Sequence, residues 1–300
     1  VLMLEAGPFY DPAKDSMQLR WPWESPRRGA GTTRPFGDFD AAYGGWQLEG
    51  EPYSKVEGTE FEWFRARMLG GRTNHWGRIS LRMGPDDFKP KDGVTDEWPI
   101  SYEEVKPFYD RVDRMIGIYG TAEGIHNEPD GIFMKPPKPR LNELYIAKGA
   151  KKAGVPVIPG RGAVLTEVSK DIKGRGTCFY CGQCGRACKV YGDFSSSSCL
   201  VIPAMKTGNL KVIDHAMVRE VITNDEGLAI GVSYVNTKDL QEYTVKGKTV
   251  ILGASACESA RIMLNSKSKT HPGGVGNSSG LVGKYLHDST GASLSGFLPQ

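Results

Sequence analysis

Three hundred residues, 39% of them apolar, can bury one large core or two ordinary ones. Lys and Arg number 38 against 35 Asp and Glu, a net charge of +3 spread along the chain, which argues against a nucleic-acid partner. No apolar run approaches the roughly 20 residues that a membrane-spanning helix needs. The chain opens on Val1-Leu2-Met3-Leu4, an apolar run that predicts a buried strand, ended by Glu5 and followed by Ala6-Gly7-Pro8. In dinucleotide-binding folds an acid at the end of the second strand takes the adenosine ribose, about 20 residues after a glycine fingerprint. Glu5 is either such a ligand or an ordinary strand-end carboxylate. The fingerprint would precede Val1, and LSGFLPQ ends without a terminal element, so the chain reads as an internal piece of a longer protein.

Residues 9–60, rich in Gly, Pro, Trp and Arg and poor in periodicity, predict a long ordered loop or lid. RMLGGRTNHWG, Arg67 to Gly77, follows. Gly70 and Gly71 lack a Cβ, so a flat ligand can approach the backbone there. Arg72, Thr73, Asn74 and His75 add hydrogen-bonding groups within one turn. Taken alone, the pair also describes a plain tight turn. Farther on, Ser101 and Glu104 form a capping box at the start of a helix. Val105, Phe108, Tyr109, Val112, Met115 and Ile116 recur at helical spacing and predict one buried stripe. A second helix begins near Leu141, with Gly154 as its stop.

From Asn209 the pattern changes to strands: 210–213, 216–223, a turn at Asn224–Gly227, 228–235 and 243–246. Thr249 to Leu252 predicts a short buried strand, and Gly253-Ala254-Ser255-Ala256 opens a helix through Leu264. A strand, small residues and a helix N-terminus in succession let a phosphate or flavin approach backbone N–H groups.

Four of the six cysteines, Cys178, Cys181, Cys184 and Cys188, follow the spacing C-x2-C-x2-C-x3-C. That spacing matches the bacterial ferredoxin run, in which thiolates on a tight loop wrap an iron–sulfur cluster. A proline follows the run in ferredoxins; here Lys189 follows, and there is no second run. Four thiolates also suit zinc, although structural zinc pairs are usually set farther apart. A loop of free or disulfide-linked thiols without metal is the third reading. Cys199 and Cys257 read as buried small apolar residues.

Together these segments resemble the glucose-methanol-choline (GMC) family of flavin oxidoreductases over most of the chain. LEAGP is similar to the family's ribose-binding strand end, at Glu5. RMLGGRTNHWG is similar to its first signature, which implies that Gly70, Gly71, Thr73, Asn74, His75, Trp76 and Gly77 lie along the flavin. HAMVREV resembles the segment whose backbone meets adenine, at Val218. ILGASACESARIMLNS with NSSGLVGKYLHD resembles the second signature, at Gly253 and Ala254. Arg72 stands where a small residue is usual, and Ala260 replaces a common Pro. The implied fold class is α/β, part of a Rossmann-like FAD-binding domain assembled from residues 1–85 and 205–300. Residues 86–204 form an inserted helical and loop region that carries the cysteines.

The stretch from His75 to Gly120 narrows the resemblance to flavoprotein subunits of bacterial gluconate, sorbitol and glucose dehydrogenases. This implies FAD, and oxidation of an alcohol carbon in a sugar, polyol or sugar acid, with electrons passed to a cytochrome or quinone. It also implies a three-iron cluster on the cysteine loop, a cytochrome c subunit, a small accessory subunit, and a periplasmic or membrane-associated location. In members with a similar run, the residue matching His75 is bonded to the flavin 8α-methyl carbon; here covalent attachment and simple packing both stay open. The family's catalytic base is a His with a second His or Asn, near a C-terminus this chain lacks. None of the five histidines takes that role: His75 belongs to the flavin side, and His271 and His287 to the second signature. Two other functions compete, a non-catalytic iron–sulfur or zinc electron-transfer module and an oxidase that uses O2.

Overall fold

The computed structural model describes residues 1–21, 24, 53–59, 61, 63, 65–93 and 95–287. The greater part of the expected lid, 25–52, lies outside the described residues. The chain forms two compact units, one of Val1–Met3 and Pro8–Val212, the other of Leu4–Gly7 and Ile213–Gln300. Nearly all of the 1–85 segment and all of 86–204 therefore fall in one unit.

In chain order the first unit holds β1 (Leu2–Leu4), α1 (Pro12–Asp15), a 3₁₀ turn (Gly71–Asn74), α2 (Pro85–Phe88), α3 (Tyr102–Ile116), β2 (Ile118–Tyr119), β3 (Phe133–Met134), α4 (Leu141–Lys152), a π-helical turn (Ser197–Val201), α5 (Ile202–Lys206) and β4 (Lys211–Ile213). β1 pairs with β4, and both strands end in the second unit. β2 pairs with β3. One apolar core gathers Tyr10, Met68, Leu69, Ala187 and Val201; a second gathers Ile116, Ile118, Ala163 and Phe194, with Trp76 packed on it.

α3 begins as expected, with Ser101 N–H donating to Glu104 at 2.7 Å and Glu104 N–H donating back to the Ser101 hydroxyl at 3.4 Å. Its inward face differs from the apolar stripe. Tyr102, Asp113 and Ile116 are buried, whereas Phe108, Val112 and Met115 are exposed. The cause is electrostatic. Arg82 is buried and donates to Asp110 at 2.6 Å, to Asp113, and to the Tyr102 hydroxyl at 3.3 Å, which rotates the acidic flank of the helix inward. α4 ends at Gly154, whose φ of +73° is the left-handed stop expected of it.

The second unit is a three-stranded antiparallel sheet in the order β5 (Ala216–Thr223), β6 (Ala229–Asn236) and β7 (Glu242–Lys246), with α6 (Ala256–Asn265) packed on β5. The turn between β5 and β6 closes because the Asn224 side chain accepts from Glu226 and Leu228 N–H, while Gly227 takes φ +81°. Val221, Val232 and Ile262 form the core, joined by Leu4, Val218, Val245, Val250 and Leu252. Residues 249–252 are not a strand, contrary to expectation. Val250 and Leu252 turn inward and Ile251 is 88% exposed, so the alternation of a strand is present. What is missing is a backbone partner: no strand among the described residues pairs with it. No helix of the described residues is long and apolar enough to cross a membrane.

A buried ion pair ties the first unit together. Arg78, 1% exposed, lies 2.8 Å from Asp193, 3% exposed, and also donates to the carbonyls of Asn74 (3.1 Å) and Trp76. Burial pulls the Arg78 pKa down and pushes that of Asp193 up to about 6, and the attraction between the charges opposes both shifts. Arg78→Met strands a buried carboxylate and is expected to cost about 3–5 kcal/mol in urea unfolding. Adding Asp193→Asn should recover part of that loss; a single variant within about 1 kcal/mol of wild type would remove the pair from its structural role.

Candidate functional site

The glycine turn follows from its neighbours. Met68 and Leu69 are fully buried and anchor the chain, and Leu69 N–H donates to Pro8 C=O at 3.0 Å. Gly70 (φ +88°) and Gly71 (φ +49°) then bend it into the 3₁₀ turn, closed by Thr73 N–H to Gly70 C=O and His75 N–H to Arg72 C=O, both 3.1 Å. The two glycines serve different ends. A Cβ on Gly70 would fall 2.8 Å from Asn74 Nδ2 and 2.9 Å from Ser197 Cβ, so its bareness admits the protein's own chain and not a ligand. A Cβ on Gly71 would meet only Ala66 O, at 3.7 Å, and one on Gly77 nothing within 4 Å. Gly71 and Gly77 thus each leave the backbone clear of the protein's own side chains, which suits the close approach of a planar ring system.

Thr73 and Asn74 were expected to offer their polar groups to a ligand; the structure turns them inward. Asn74 is fully buried, donates to Leu69 C=O (2.9 Å) and Gly71 C=O (3.2 Å), and accepts from Ser197 Oγ (2.7 Å). Thr73 Oγ1 donates to Gly70 C=O (2.5 Å) and accepts from Ser196 N–H (2.9 Å). Both are spent on the shape of the turn, because buried polar groups must find partners at once. Ser195, Ser197 and Ser198 are buried too, and sequence reasoning missed them as the counter-face on which the turn sits. Trp76 Nε1 donates to Phe194 C=O at 3.0 Å, its ring edge-on to Phe194. His75 is 2% exposed, and burial, then the charges of Arg72 and Arg78, lower its pKa to about 4. At neutral pH it is a neutral imidazole, the form in which a ring nitrogen is nucleophilic.

In the second unit Glu5 follows β1, its backbone bonded to Ile213 (2.9 Å) and Ala216 (2.8 Å), while its Oε1 accepts from Gly7 N–H at 2.9 Å. Val218 lies beside a register shift in β5, and its carbonyl accepts from Arg261 at 2.9 Å. Gly253 and Ala254 are exposed ahead of α6, and a Cβ on Gly253 would meet nothing within 4 Å. Ser255 precedes the helix in a left-handed conformation, φ +74°, and makes no side-chain cap. His271 packs on the turn between β5 and β6, Nε2 3.0 Å from Gly227 O.

The four loop cysteines meet. Cys178, Cys181, Cys184 and Cys188 line one cavity of about 20 Å³ with Gln18, Val164 and Asp193. Left-handed residues at Tyr180 (φ +58°), Gly182 (+72°) and Ala187 (+60°) fold the loop back so that its sulfurs face inward. Burial first, then the Asp193 charge, pushes the Cys184 thiol up to about 11; burial raises Cys178 as well. All six cysteines are free thiols. No group of three or more His, Cys, Asp or Glu among the described residues is arranged to hold a metal ion, which leaves the zinc and iron–sulfur readings of Cys178, Cys181, Cys184 and Cys188 alike without support from the geometry. The sulfurs surround a small space; they do not converge on a coordination point. Cys199 and Cys257 are half-buried, less enclosed than expected.

Two measurements test the turn. Gly70→Ala should destabilise the protein by about 2–4 kcal/mol through overlap and left-handed strain. Gly77→Ala should leave the unfolding midpoint unchanged and lower flavin occupancy; equal effects of both variants would refute the division of roles. The second measurement concerns His75. Its folded pKa near 4 lies below the ordinary 6.5, so the stability it contributes is present above pH 6.5 and is lost as pH falls toward 4, on the order of 3 kcal/mol. Asp193 runs the other way, since its raised pKa favours the folded state increasingly as pH falls below about 6. Subtracting the urea stability of His75→Gln from that of wild type at each pH isolates the histidine. A difference that stays flat between about pH 7 and pH 4 would contradict a neutral buried imidazole.

Comparison with known proteins bears on the whole chain. Residues 48–290 match the family model described as GMC oxidoreductase. The chain is 32% identical to 2-methyl-1,2-propanediol dehydrogenase of Mycolicibacterium austroafricanum over 73% of its own length and 40% of that protein's. It is 28% identical to the fructose dehydrogenase large subunit of Gluconobacter japonicus, over 76% of its own length and 42% of that protein's. It thus spans about 40% of the length of these relatives. In fold it matches pyridoxine 4-oxidase from Mesorbium loti with a TM-score of 0.52 at 16% identity, over 89% of this chain and 46% of that one. The mixed α/β fold is thereby that of part of a GMC FAD-binding domain, family membership implies FAD, and the chain belongs to the GMC oxidoreductase family.

Proposed function

We propose that the protein is an FAD-dependent dehydrogenase that oxidises a CH–OH carbon of a sugar, polyol or sugar acid. The observation that carries this reading is the backbone left clear at Gly71 and at Gly77, on a run whose turn is held by bonds among Asn74, Ser197 and Arg78. Bound FAD supplies the two-electron acceptor. Around it, Gly71 and Gly77 keep the approach clear; His75 is a neutral imidazole enclosed by the protein, and packing against the ring or a bond to it requires that side chain to turn outward. The Glu5 carboxylate takes a ribose hydroxyl, the Val218 backbone meets adenine, and Gly253 with Ala254 lies by the dinucleotide. Orientation of the carbinol carbon and removal of its hydroxyl proton fall to a His base, as the family resemblance implies, and none of His75, His271 and His287 is assigned that role.

Electrons pass onward to a cytochrome or quinone. The likeness to a dehydrogenase large subunit supports a partnered assembly; a cytochrome c, a small subunit and a place in or near the periplasm complete the proposal. The cysteine loop is a second element of this reading, favoured by the four sulfurs that line one cavity. Its chemistry suits an iron–sulfur centre, but the sulfurs are not arranged to hold a metal ion, so relay through these cysteines first requires the loop to rearrange.

The test is anaerobic addition of gluconate, sorbitol or fructose to the full-length protein. The flavin band should bleach, and dye or cytochrome reduction should proceed with little peroxide. Failure to bind flavin on reconstitution favours the non-catalytic module, and substantial peroxide favours the oxidase. Iron and acid-labile sulfide analysis decides the relay.

A further inference from the structure

The cavity of the four cysteines has a fifth wall that no cysteine spacing announces. Gln18, more than 160 residues upstream of the loop, is 2% exposed, and its side-chain amide reaches two of the sulfurs. Nε2 donates toward Cys181 Sγ at 3.1 Å and Cys188 Sγ at 3.8 Å, and Oε1 accepts from Lys189 N–H at 2.8 Å. The orientation of the amide is forced. Lys189 N–H can only donate, so the oxygen must face it and the NH2 must face the sulfurs. The neighbouring segment straps the same loop. Ser16 Oγ donates toward the carbonyls of Arg186 and Ala187, 2.8 Å each, Leu19 N–H donates to the Gln183 side chain at 2.6 Å, and Arg186 donates to Arg20 C=O at 2.9 Å.

We propose that Gln18 is a positioning residue of the cysteine loop: its carboxamide holds Cys181 and Cys188 turned into the cavity so that a thiophilic metalloid, which needs two thiols and not the larger ligand set of a metal ion, meets them as a pair. A buried amide needs all its partners, and thiols are weak acceptors. Sulfur bonded to an electropositive centre carries more negative charge and accepts an N–H better, so the donor favours the ligated state of the loop. This deepens the cysteine reading above and rests on the four thiols acting as one site, whether or not iron is their natural ligand.

The probe is phenylarsine oxide, whose arsenic forms two As–S bonds with a thiol pair and releases one water, with no electron transferred. It is titrated into the full-length protein with every cysteine outside the loop replaced by serine. Wild-type loop should bind one equivalent. Gln18→Glu keeps the size and the acceptor for Lys189 but points an oxygen at the sulfurs, and it should weaken binding by about tenfold or more. Gln18→Leu should do the same; where it fails to fold, Gln18→Glu carries the comparison. Ser16 cannot serve as the control, because its hydroxyl accepts from Gln18 N–H at 3.0 Å; Arg186→Met loosens the strap without touching Gln18 or a sulfur, and its binding should stay within about threefold of wild type. Wild-type affinity in Gln18→Glu, an equal loss in Arg186→Met, or no uptake by the wild-type loop would each overturn the assignment. Absence of iron with arsenical binding intact refutes the relay and leaves the role of Gln18 standing.

Discussion

The contact between Arg78 and Asp193 organises the first unit. It joins the residue that follows the glycine turn to the residue that ends the cysteine loop, and both side chains are almost wholly out of water. Such a pair is costly to bury, and the attraction offsets the cost only where the remaining donors and acceptors are also met. Arg78 meets this condition partly through the carbonyls of Asn74 and Trp76, which lie inside the 67–77 glycine run itself. The arginine therefore does more than balance a charge. It fixes the backbone on both sides of His75, and the next residues after Asp193, Phe194 and the serine run, become the surface against which the turn is cast.

From that constraint the division of labour within the signature follows. A rigid platform for a flat ligand needs one face stripped of side chains and another face crowded with bonds. Gly71 and Gly77 provide the first; Gly70, Thr73 and Asn74 provide the second, pressed against Ser196 and Ser197. Preorganisation of this kind lowers the ordering cost of binding, because the loop's entropy is lost on folding and not on ligand capture. A histidine kept neutral by burial belongs to the same design, since a charged imidazole would lie among Arg72 and Arg78.

Much of this was legible in the sequence wherever the determinant was local. The capping box of Ser101 and Glu104, the stop at Gly154, and the Asn224–Gly227 turn between two alternating segments each act within a few residues, and each element formed where it was read. Long-range determinants were not legible. Counting apolar positions placed Phe108, Val112 and Met115 in a core, because nothing in the periodicity shows that Arg82 draws Asp110 and Asp113 inward. Thr249 to Leu252 has the alternation of a strand, but a strand is a relation between two backbones and the pattern reports only one. The glycine pair was read as one feature, although only the position of Ser197, over a hundred residues away, separates the role of Gly70 from that of Gly71.

The cysteine loop shows the same limit at the level of chemistry. Its spacing and left-handed bends explain why four sulfurs face one space, but not how large that space is. Its size is set by the strap of residues 11–20, through Ser16, Gln18 and the bond from Tyr191 to Asp11. Each such hydrogen bond adds about 1 kcal/mol net, so several together hold the loop closed by only a few kcal/mol. Binding of a metal by thiolates releases on the order of 10 kcal/mol. The closed loop is therefore no barrier to a ligand large enough to spread it. A strap this weak fixes the shape of the loop, and what the loop takes up is decided by the sulfurs and the amide donor aimed at them.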